Sequence, residues 1–406
     1  MTVNFALPTA PEPYLGTGEL PADFYSYEEL LSDSEKEKIR RTRDFLRTEA
    51  SPIVDAYWAK AEFPFQLIEG FSKLGLLDWA DPDSSERAPS ELMTGITALE
   101  MAHADPSLSV FFGVHSGLAM GSINTCGSEE QKRRWLPAMS RFEKIGAFAL
   151  TEPHGGSDVA GGMETTARRD GDGWVLSGTK TYISGVEDCD GLLVMARVGE
   201  PGRLALFMVD PDAPGLERAH IETIVQAPEQ QWTLFFDDVA VSADRMIGAE
   251  GDGLRIGFDG LNPERIMAAA ICNGVGRYAL EKASAYANER VVWGQPIGAH
   301  QGVSHPLAEA KIALEAARLM TWKAAILHDA GAPAGEASNM AKLLAADAGA
   351  LCLDRAIQAH GGNGLSIEYG LADLWFIVRL LRVAPVSREM ILNYVAQHSL
   401  GLPRSY

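Results

Sequence analysis

A polar, glycine-rich loop is the segment of this sequence best suited to chemistry. Residues Thr151 to Asp158 read Thr-Glu-Pro-His-Gly-Gly-Ser-Asp and follow an apolar run that ends at Leu150. Hydroxyl groups and glycines together can bring a ligand close to the backbone. Pro, Gly and Asp are also the residues of any tight loop, and Thr151 or Ser157 can bond its own backbone. The loop alone leaves a binding role and a structural role open.

Two further clusters combine residues of the same kind. In Gly178–Gly185, Tyr182 is followed two residues later by Ser184, which predicts both side chains on one face of a strand. An aromatic ring beside a hydroxyl can flank a planar heterocycle, although core packing explains the pair equally well. The segment Gln358–Gly364 carries three glycines at a predicted helix end, where close approach to a ligand and an ordinary helix C-terminus are both open.

The elements that position these clusters occur in the order helical, β-rich, helical. Residues 1–25 are rich in Pro, Gly and acidic residues and are expected to form an extended arm. Helical spacing of apolar residues predicts an N-terminal α-helical domain over 26–146. Short β-rich runs divided by Gly, Asp and Pro, among them Trp174–Leu176 and Thr181–Ile183 as separate strands, predict a middle β-domain over 147–252, a small barrel or sandwich. Helical periodicity returns over 253–406, so the fold class is α+β and multidomain.

Local signals refine the helical parts. Ser32 with Glu35, and Ser128 with Gln131, have the spacing of N-terminal capping boxes. Helical spacing also leaves a cluster in the last third of the first domain open to two interpretations, a pocket wall or core; it comprises Phe111, Phe112, His115 and Met120.

Composition narrows the possible functions. The 406 residues carry 35 basic and 55 acidic side chains, a formal net charge of −20. This charge argues against binding to nucleic acid or to an anionic membrane surface. Four scattered cysteines predict reduced thiols, and the histidines lack a metal-ligand spacing, so we expect no metal site. Seven acidic residues precede the first basic one, Lys36, so a cytoplasmic location is expected.

Four ordered motifs together resemble the acyl-CoA dehydrogenase family from about Tyr27 onward. They are Thr-Glu-Pro-x-x-Gly-Ser-Asp, Gly-x-Lys-x-aromatic-Ile-Ser, the Glu289–Gln301 stretch and Gln-x-x-Gly-Gly-x-Gly. The resemblance implies an N-terminal helical domain, a middle β-barrel domain, a C-terminal four-helix bundle and usually a homotetramer. It also implies an FAD cofactor held between the β-domain and the bundle, and FAD-dependent dehydrogenation of an acyl-CoA thioester to the 2-enoyl-CoA.

The resemblance assigns roles residue by residue. Leu150 and Thr151 would lie beside the flavin ring, with Tyr182 and Ser184 on its other side, while Ser157 would contact both flavin and the thioester's entry path. The pyrophosphate and adenine half of FAD would be held by Arg290, Trp293 and Gln301. A neighbouring subunit would reach across with Gln358, Gly361 and Gly362. Contacts to substrate would come from Ser157, Arg265 and Ser109.

The catalytic base departs from the commonest pattern of the family. The glutamate that usually follows the glycine cluster is replaced here by Ala384, which cannot remove a proton. Isovaleryl- and long-chain-type members instead place the glutamate immediately before an arginine, as in Glu264-Arg265. We therefore expect Glu264 to be the catalytic base. The alternative is that Glu264 is only an acidic residue at a helix start, with Asn262 as N-cap and Pro263 as first residue.

The acyl group and the electron acceptor are less well defined. Glutaryl-type members carry an arginine where this sequence has Ser109, so we expect an uncharged, short or branched acyl group. Electrons would pass to an electron-transfer flavoprotein, or to oxygen if the protein is an oxidase of the same fold. A non-catalytic member, or one that acts on a carrier-protein thioester, is the remaining alternative.

Overall fold

The computed structural model describes residues 25–159, 161–199, 203–224, 227–253 and 261–404. The predicted N-terminal arm over 1–25 thus lies outside the described residues except for Tyr25. Helices come first, strands follow and helices return, which is the order that the sequence predicts.

Seven α-helices and short helical turns make up the N-terminal part. They are α1 (Asp33–Phe45), α2 (Val54–Trp58), α3 (Ile68–Leu74), α4 (Glu91–Ala104), α5 (Pro106–Phe112), α6 (Gly121–Cys126) and α7 (Glu129–Ser140). A π-helical segment, Gly113–Met120, connects α5 to α6. Both predicted capping boxes are present, at the N-termini of α1 and α7.

The middle part is one mixed sheet of eight strands. They are β1 (Gly146–Ala149), β2 (Thr166–Asp170), β3 (Gly173–Ser184), β4 (Gly191–Arg197), β5 (Leu204–Val209), β6 (Leu216–His220), β7 (Gln231–Val241) and β8 (Met246–Ile247). The strand order is β6-β7-β3-β2-β4-β5-β8, with β1 parallel to β4. Alternate residues of β3, β4 and β5 bury a core of their own.

Two details of this sheet correct the sequence-based expectation. The runs Trp174–Leu176 and Thr181–Ile183 are parts of the single strand β3, because Gly178 keeps the chain extended rather than turning it. Gly178 has φ 149°, and a Cβ there would lie 2.5 Å from Thr165 Oγ1, so a glycine is required for this close approach. The expected barrel is not closed among the described strands, since β6 and β8 end the hydrogen-bonded path.

The C-terminal part contains three long helices, α8 (Leu261–Glu289), α9 (Gln301–Asp329) and α10 (Gly335–His360). Between α8 and α9 lies a small hairpin of β9 (Val291–Val292) and β10 (Gln295–Pro296). Only short helices follow in the described chain, α11 (Trp375–Leu380) and α12 (Arg388–Tyr394), and both pack on α10. The expected four-helix bundle therefore has three long members. The fourth is interrupted near Pro385, which has no N–H to continue a helix.

One hydrophobic core joins the first and last parts of the chain. Helix α4 packs along α8, and Glu100 of α4 accepts a hydrogen bond of 2.7 Å from Arg277 of α8, with both side chains 5% exposed. The burial of this pair fixes how the two helices face each other.

Three further observations concern the cysteines, the membrane-crossing potential and the metal-binding potential of the described residues. All four cysteines are free, and three of them are buried. No described helix has both the length and the apolar character that a membrane crossing demands. The described histidines, cysteines and carboxylates form no group of three placed to share a metal ion.

Candidate active site

A buried ion pair between Lys180 and Glu152 holds the start of the glycine loop. Lys180 of β3 donates to Glu152 Oε1 at 2.8 Å and to the Leu150 carbonyl at 2.9 Å, and its side chain is fully buried. Burial lowers the pKa of Lys180 to about 8. Burial alone would raise the pKa of Glu152, but the charge and hydrogen bond of Lys180 outweigh it and hold this pKa below its usual value. Lys180 thereby locks the start of the loop onto β3.

Thr151 is held against the same strand by two hydrogen bonds. Its hydroxyl donates to the Thr181 carbonyl at 2.5 Å, and its own carbonyl accepts from the Thr181 N–H at 2.9 Å. The lone pairs of the Thr151 hydroxyl remain available to accept a bond from a ligand. Further along, Gly156 and Ser157 are exposed, and no described atom lies near the position of a Cβ on Gly156. This part of the loop is open to solvent.

Tyr182 and Ser184 lie at the irregular end of β3. The register with β7 shifts between Lys180 and Ile183, and Tyr182 has φ 56°, a conformation that costs a non-glycine residue energy. The Tyr182 side chain is 65% exposed, Ile183 is buried and Ser184 is half-buried. Ser184 Oγ accepts from Gln231 Nε2 at 2.8 Å. An exposed aromatic ring on a strained backbone is an unusual arrangement that a bound ring system would explain.

Glu264 lies in the first described turn of α8. Its side chain is half-buried, and burial raises the pKa of Glu264 to about 7, although the positive charges of Arg265 and Lys342 lower it. Asn262 is already inside the described helix, so the N-cap interpretation is not supported. Its Oδ1 instead accepts from Arg265 Nη1 at 3.2 Å and from Ser338 Oγ at 3.0 Å.

A chain of contacts connects Glu264 with the end of β3. One turn after Glu264, Met267 lies against Gly113 and Gly117, where a Cβ would meet its side chain. On the same π-helical segment, Val114 Cγ1 lies 3.7 Å from the Cβ position of Gly185, the residue after Ser184. The segment Gly113–Met120 therefore contacts both the start of α8, which carries Glu264, and the end of β3, which carries Tyr182 and Ser184.

Lys342 of α10 relates Glu264 to the position of Ala384. It lies within electrostatic reach of Glu264 and donates to the Val386 carbonyl at 2.6 Å, two residues after Ala384. Lys342 is 1% exposed, and burial lowers its pKa to about 8. Ala384 and Glu264 are thus held near the same buried cation. Sequence reasoning missed Lys342, because a single lysine in a helical pattern gives no sign of burial.

Ser109 has a partner within the helical domain. It is 1% exposed and its hydroxyl donates to the Ala98 carbonyl of α4 at 3.0 Å. The four residues with two interpretations are all buried, and Phe111, Phe112 and Met120 belong to the hydrophobic core. His115 accepts from the Gly146 N–H and bonds the Met139 carbonyl, and burial lowers its pKa to about 4.

An apolar cavity opens beside Ser184. Phe63, Phe111 and Trp232 contribute to its walls, together with Glu229. Glu229 is 7% exposed, neither carboxylate oxygen has a hydrogen-bond partner in the described chain, and burial raises its pKa to about 8. Glu229 was not predicted from the sequence, since nothing in its loop distinguishes it from a surface carboxylate.

The remaining predicted cofactor residues lie at the other end of the bundle. They are Arg290, Trp293, Gln301, Gln358, Gly361 and Gly362. Tyr286 of α8 stacks on His360 of α10 at 4.2 Å, and the Ile297 N–H donates to the Arg290 carbonyl at 2.8 Å, so this set forms one group. Trp293 is 88% exposed, and Gly361 and Gly362 have open space where a Cβ would be.

This placement puts the residues of the second set, predicted for two different subunits, at one end of one chain. From Glu264 to Glu289 the axis of α8 extends about 38 Å. The group at Arg290 and the group at Gly361 therefore lie at the same end of the same chain, far from Glu264.

Comparison with known proteins finds matches to one family over most of the chain. Models of the acyl-CoA dehydrogenase N-terminal, middle and C-terminal domains match residues 32–143, 147–239 and 251–400. Acyl-CoA dehydrogenase FadE12 of Mycobacterium tuberculosis is 50% identical over 286 residues, covering 69% of this chain and 74% of that protein. The mitochondrial short-chain specific acyl-CoA dehydrogenase of Mus musculus is 32% identical over 385 residues, covering 93% of each.

Solved structures include one of the same architecture with a reduced flavin. A glutaryl-CoA dehydrogenase from Mycobacterium smegmatis in complex with FADH2 superposes with a TM-score of 0.87 at 27% identity, covering 96% of this chain and 100% of that one. Three matching domain models in order, and a close relative over two thirds of the chain, agree with the ordered motifs. The chain therefore belongs to the acyl-CoA dehydrogenase family.

Proposed function

We propose that this protein is an FAD-dependent acyl-CoA dehydrogenase that converts an uncharged, short or branched acyl-CoA to the 2-enoyl-CoA. The observation that carries the proposal is Glu264. It is a half-buried carboxylate with a pKa raised to about 7, and contacts through Met267 and Gly113 connect it with the strand end that carries Tyr182 and Ser184. A base that removes a proton α to a thioester needs a pKa near the working pH.

The residues around β3 fit a flavin. Thr151 retains acceptor lone pairs, Ser184 offers a hydroxyl proton, and the exposed ring of Tyr182 supplies an aromatic surface. A related structure contains FADH2. When bound, FAD supplies the hydride acceptor for the β carbon of the acyl group. Leu150 and Thr151 would contact the ring from the loop, while Ser157 would line the path of the thioester.

Glu264 takes the α proton in this mechanism. The group must be ionised before the reaction, and the positive charges of Arg265 and Lys342 favour that form against the cost of burial. The bound acyl chain would displace the remaining water and raise the pKa further, which strengthens the base. Arg265 would act on Glu264 electrostatically and border the substrate.

A second copy of the chain would complete the cofactor site. The set at Arg290 and Gly361 lies about 38 Å from Glu264 along α8, too far for both sets of one chain to hold one FAD. We propose that this set, Trp293, Gln301, Gln358 and Gly362 included, binds the adenine half of the partner's FAD, within a homotetramer. Mass measurement of the flavin-loaded protein in solution tests this arrangement.

The acyl group is proposed to be uncharged because Ser109 offers no positive charge to a distal carboxylate. Its hydroxyl is already bonded to the Ala98 carbonyl. Support for a short chain comes from the mouse relative, whose name is short-chain specific.

Anaerobic titration of the purified protein with acyl-CoA thioesters tests the proposal. Butyryl- or isobutyryl-CoA should bleach the flavin absorbance, and glutaryl-CoA should do so more slowly. A bound flavin that no thioester reduces would contradict the proposed activity. Readmission of air then separates an oxidase, which reoxidises at once, from a dehydrogenase that needs an electron-transfer flavoprotein.

A further inference from the structure

The apolar cavity beside Ser184 has aromatic walls. Its lining includes Phe63, Phe65 and Phe111 from the helical part and Trp232 from β7. The ring centroids of Phe63 and Phe111 lie 4.5 Å apart, and those of Phe63 and Phe65 lie 5.0 Å apart. These three side chains therefore form one continuous aromatic surface. An aromatic ring has a negative face, which attracts a cation placed over it.

The ionisable residues of the cavity are all acidic. Glu187, Asp188 and Glu229 line it, and none of its described lining residues is a lysine, an arginine or a histidine. Asp105 is 2% exposed and adds a fourth carboxyl group within electrostatic reach of Glu229. Its Oδ2 atom has no hydrogen-bond partner in the described chain. This concentration of carboxyl groups favours a positively charged occupant.

Glu229 is the acidic residue of the cavity that most clearly lacks a partner. Its side chain is 7% exposed, and no described residue forms a hydrogen bond with either carboxylate oxygen. A buried carboxylate without a partner is costly. Burial and the charge of Asp105 accordingly raise the pKa of Glu229 to about 8. A cation beside Glu229 would remove this cost, because it would supply the missing opposite charge.

The cavity has room for a group larger than a water molecule. The centre of a water-sized sphere can occupy about 30 Å³ inside it, whereas one water needs about 10–15 Å³. A bare metal ion is a poor occupant, since the described histidines, cysteines and carboxylates form no group of three that could share one. An ammonium ion with apolar substituents suits the walls better, because its charge meets Glu229 and its substituents meet the aromatic rings.

We propose that this cavity binds a small organic ammonium ion, with Glu229 as its counterion and the rings of Phe63, Phe65 and Phe111 around its apolar substituents. The ligand class is a protonated amine or a quaternary ammonium compound. The site goes beyond the proposed dehydrogenation, because it uses neither Glu264 nor a thioester. Its occupant would lie next to Ser184, at the strand end that is proposed to contact the flavin.

The charge of Glu229 makes the binding depend on pH. Only the ionised carboxylate can pair with a cation, and in the empty cavity the pKa of Glu229 is about 8. A quaternary ammonium ion does not titrate, so its affinity should rise about tenfold from pH 7 to pH 9 and level off at higher pH. The other titratable groups that face Glu229 are Asp105 at the N-cap of α5, Glu187 and Asp188 between β3 and β4, and His220 at the end of β6. Protonated His220 would oppose a cation, so a His220→Gln protein should keep the rise centred near pH 8.

Calorimetric titration of the flavin-loaded protein with choline at pH 8.5 is the first test. The control ligand is 3,3-dimethylbutan-1-ol, which has the shape of choline without its charge and should bind at least about tenfold more weakly. Glu229→Gln should weaken choline binding at least about tenfold and abolish its pH dependence, while Glu229→Asp should keep part of both. Phe65→Leu should weaken choline binding about threefold and leave binding of the alcohol unchanged.

Glu91→Gln is the matched control variant. Burial raises the pKa of Glu91 to about 8 as well, but Glu91 begins α4 and does not line the cavity, so choline affinity should equal that of the wild type. A wild-type protein that does not bind choline, or that binds the alcohol equally well, would overturn the proposal. So would an unchanged choline affinity in Glu229→Gln, which would place the cation elsewhere. Choline binding is measured without a thioester, so failure of every thioester to reduce the flavin would refute the proposed activity and leave the ammonium site standing.

Discussion

Replacement of Glu264 by glutamine tests the proposed base most directly. The amide has nearly the shape of the carboxyl but cannot accept the α proton. Loss of a positioned general base slows a reaction by about 10²–10⁴-fold, and α protons of thioesters are weakly acidic, so we expect flavin reduction to slow at least a thousandfold. The flavin should remain bound, because Glu264 lies on α8 and not on the loop or strand proposed to contact it.

The pH dependence of the wild type follows from the same environment. Burial raises the pKa of Glu264 from 4.5 to about 7. Because only the ionised carboxylate can take a proton, kcat/KM should rise with pH and level off above about 7. At pH 6 it should be about one tenth of its plateau. A carboxyl with the ordinary pKa of 4.5 would instead give a flat profile from pH 6 upward.

Anaerobic stopped-flow measurement of flavin reduction by butyryl-CoA provides the assay. Glu91→Gln is a matched control, since burial also raises the pKa of Glu91 to about 8, yet Glu91 begins α4 and should leave reduction unchanged. Glu264→Asp should retain measurable activity. A Glu264→Gln protein that reduces its flavin at the wild-type rate, or a wild-type profile without an inflection near pH 7, would refute the assignment of the base.

Three other predictions follow from buried charges. Lys342→Met removes a positive charge that lowers the pKa of Glu264, so the inflection in the kcat/KM profile should move to higher pH; no movement would exclude this role of Lys342. Lys180→Met breaks the bonds to Leu150 and Glu152, and the ratio of flavin to protein after dialysis should fall if the loop holds FAD. Burial raises the pKa of Glu229 from 4.5 to about 8, so this carboxyl costs the folded state increasing free energy as the pH rises from 4.5 through 8. Glu229→Gln should therefore stabilise the protein on the order of 2 kcal/mol near pH 8 and little at pH 5, measured by urea unfolding at both values.

Local signals predicted the parts of the fold that local interactions decide. The capping boxes at Ser32 and Ser128 need only residues three positions apart, and both are present. The sequence around Gly178 did not predict that the residues on both sides of it form one continuous strand, β3. A glycine usually interrupts a strand, but here it allows the close approach of Thr165, which is brought there by β2.

In the candidate site too, local sequence signals were predictive and contacts between distant elements were not. The motifs located the loop and the strand end, since hydroxyl and aromatic residues there are recognisable one by one. The sequence did not predict three buried ionisable residues, Lys180, Lys342 and Glu229. Their pKa values depend on burial by elements that are distant in the sequence. The sequence also could not show that Arg290 and Gln358 lie at one end of the bundle, since only the packing of α8 on α10 brings them together.

The loss of the usual glutamate at Ala384 and the presence of Glu264 are best understood as one change. Lys342 donates to the backbone carbonyl of Val386 and lowers the pKa of Glu264 through its charge. A carboxyl introduced at Ala384 would therefore enter the field of the same buried cation. Two carboxylates there would compete for Lys342 and raise each other's pKa, which would leave one of them protonated at neutral pH. With one carboxylate near this cation, a larger fraction of the base is ionised at neutral pH than with two.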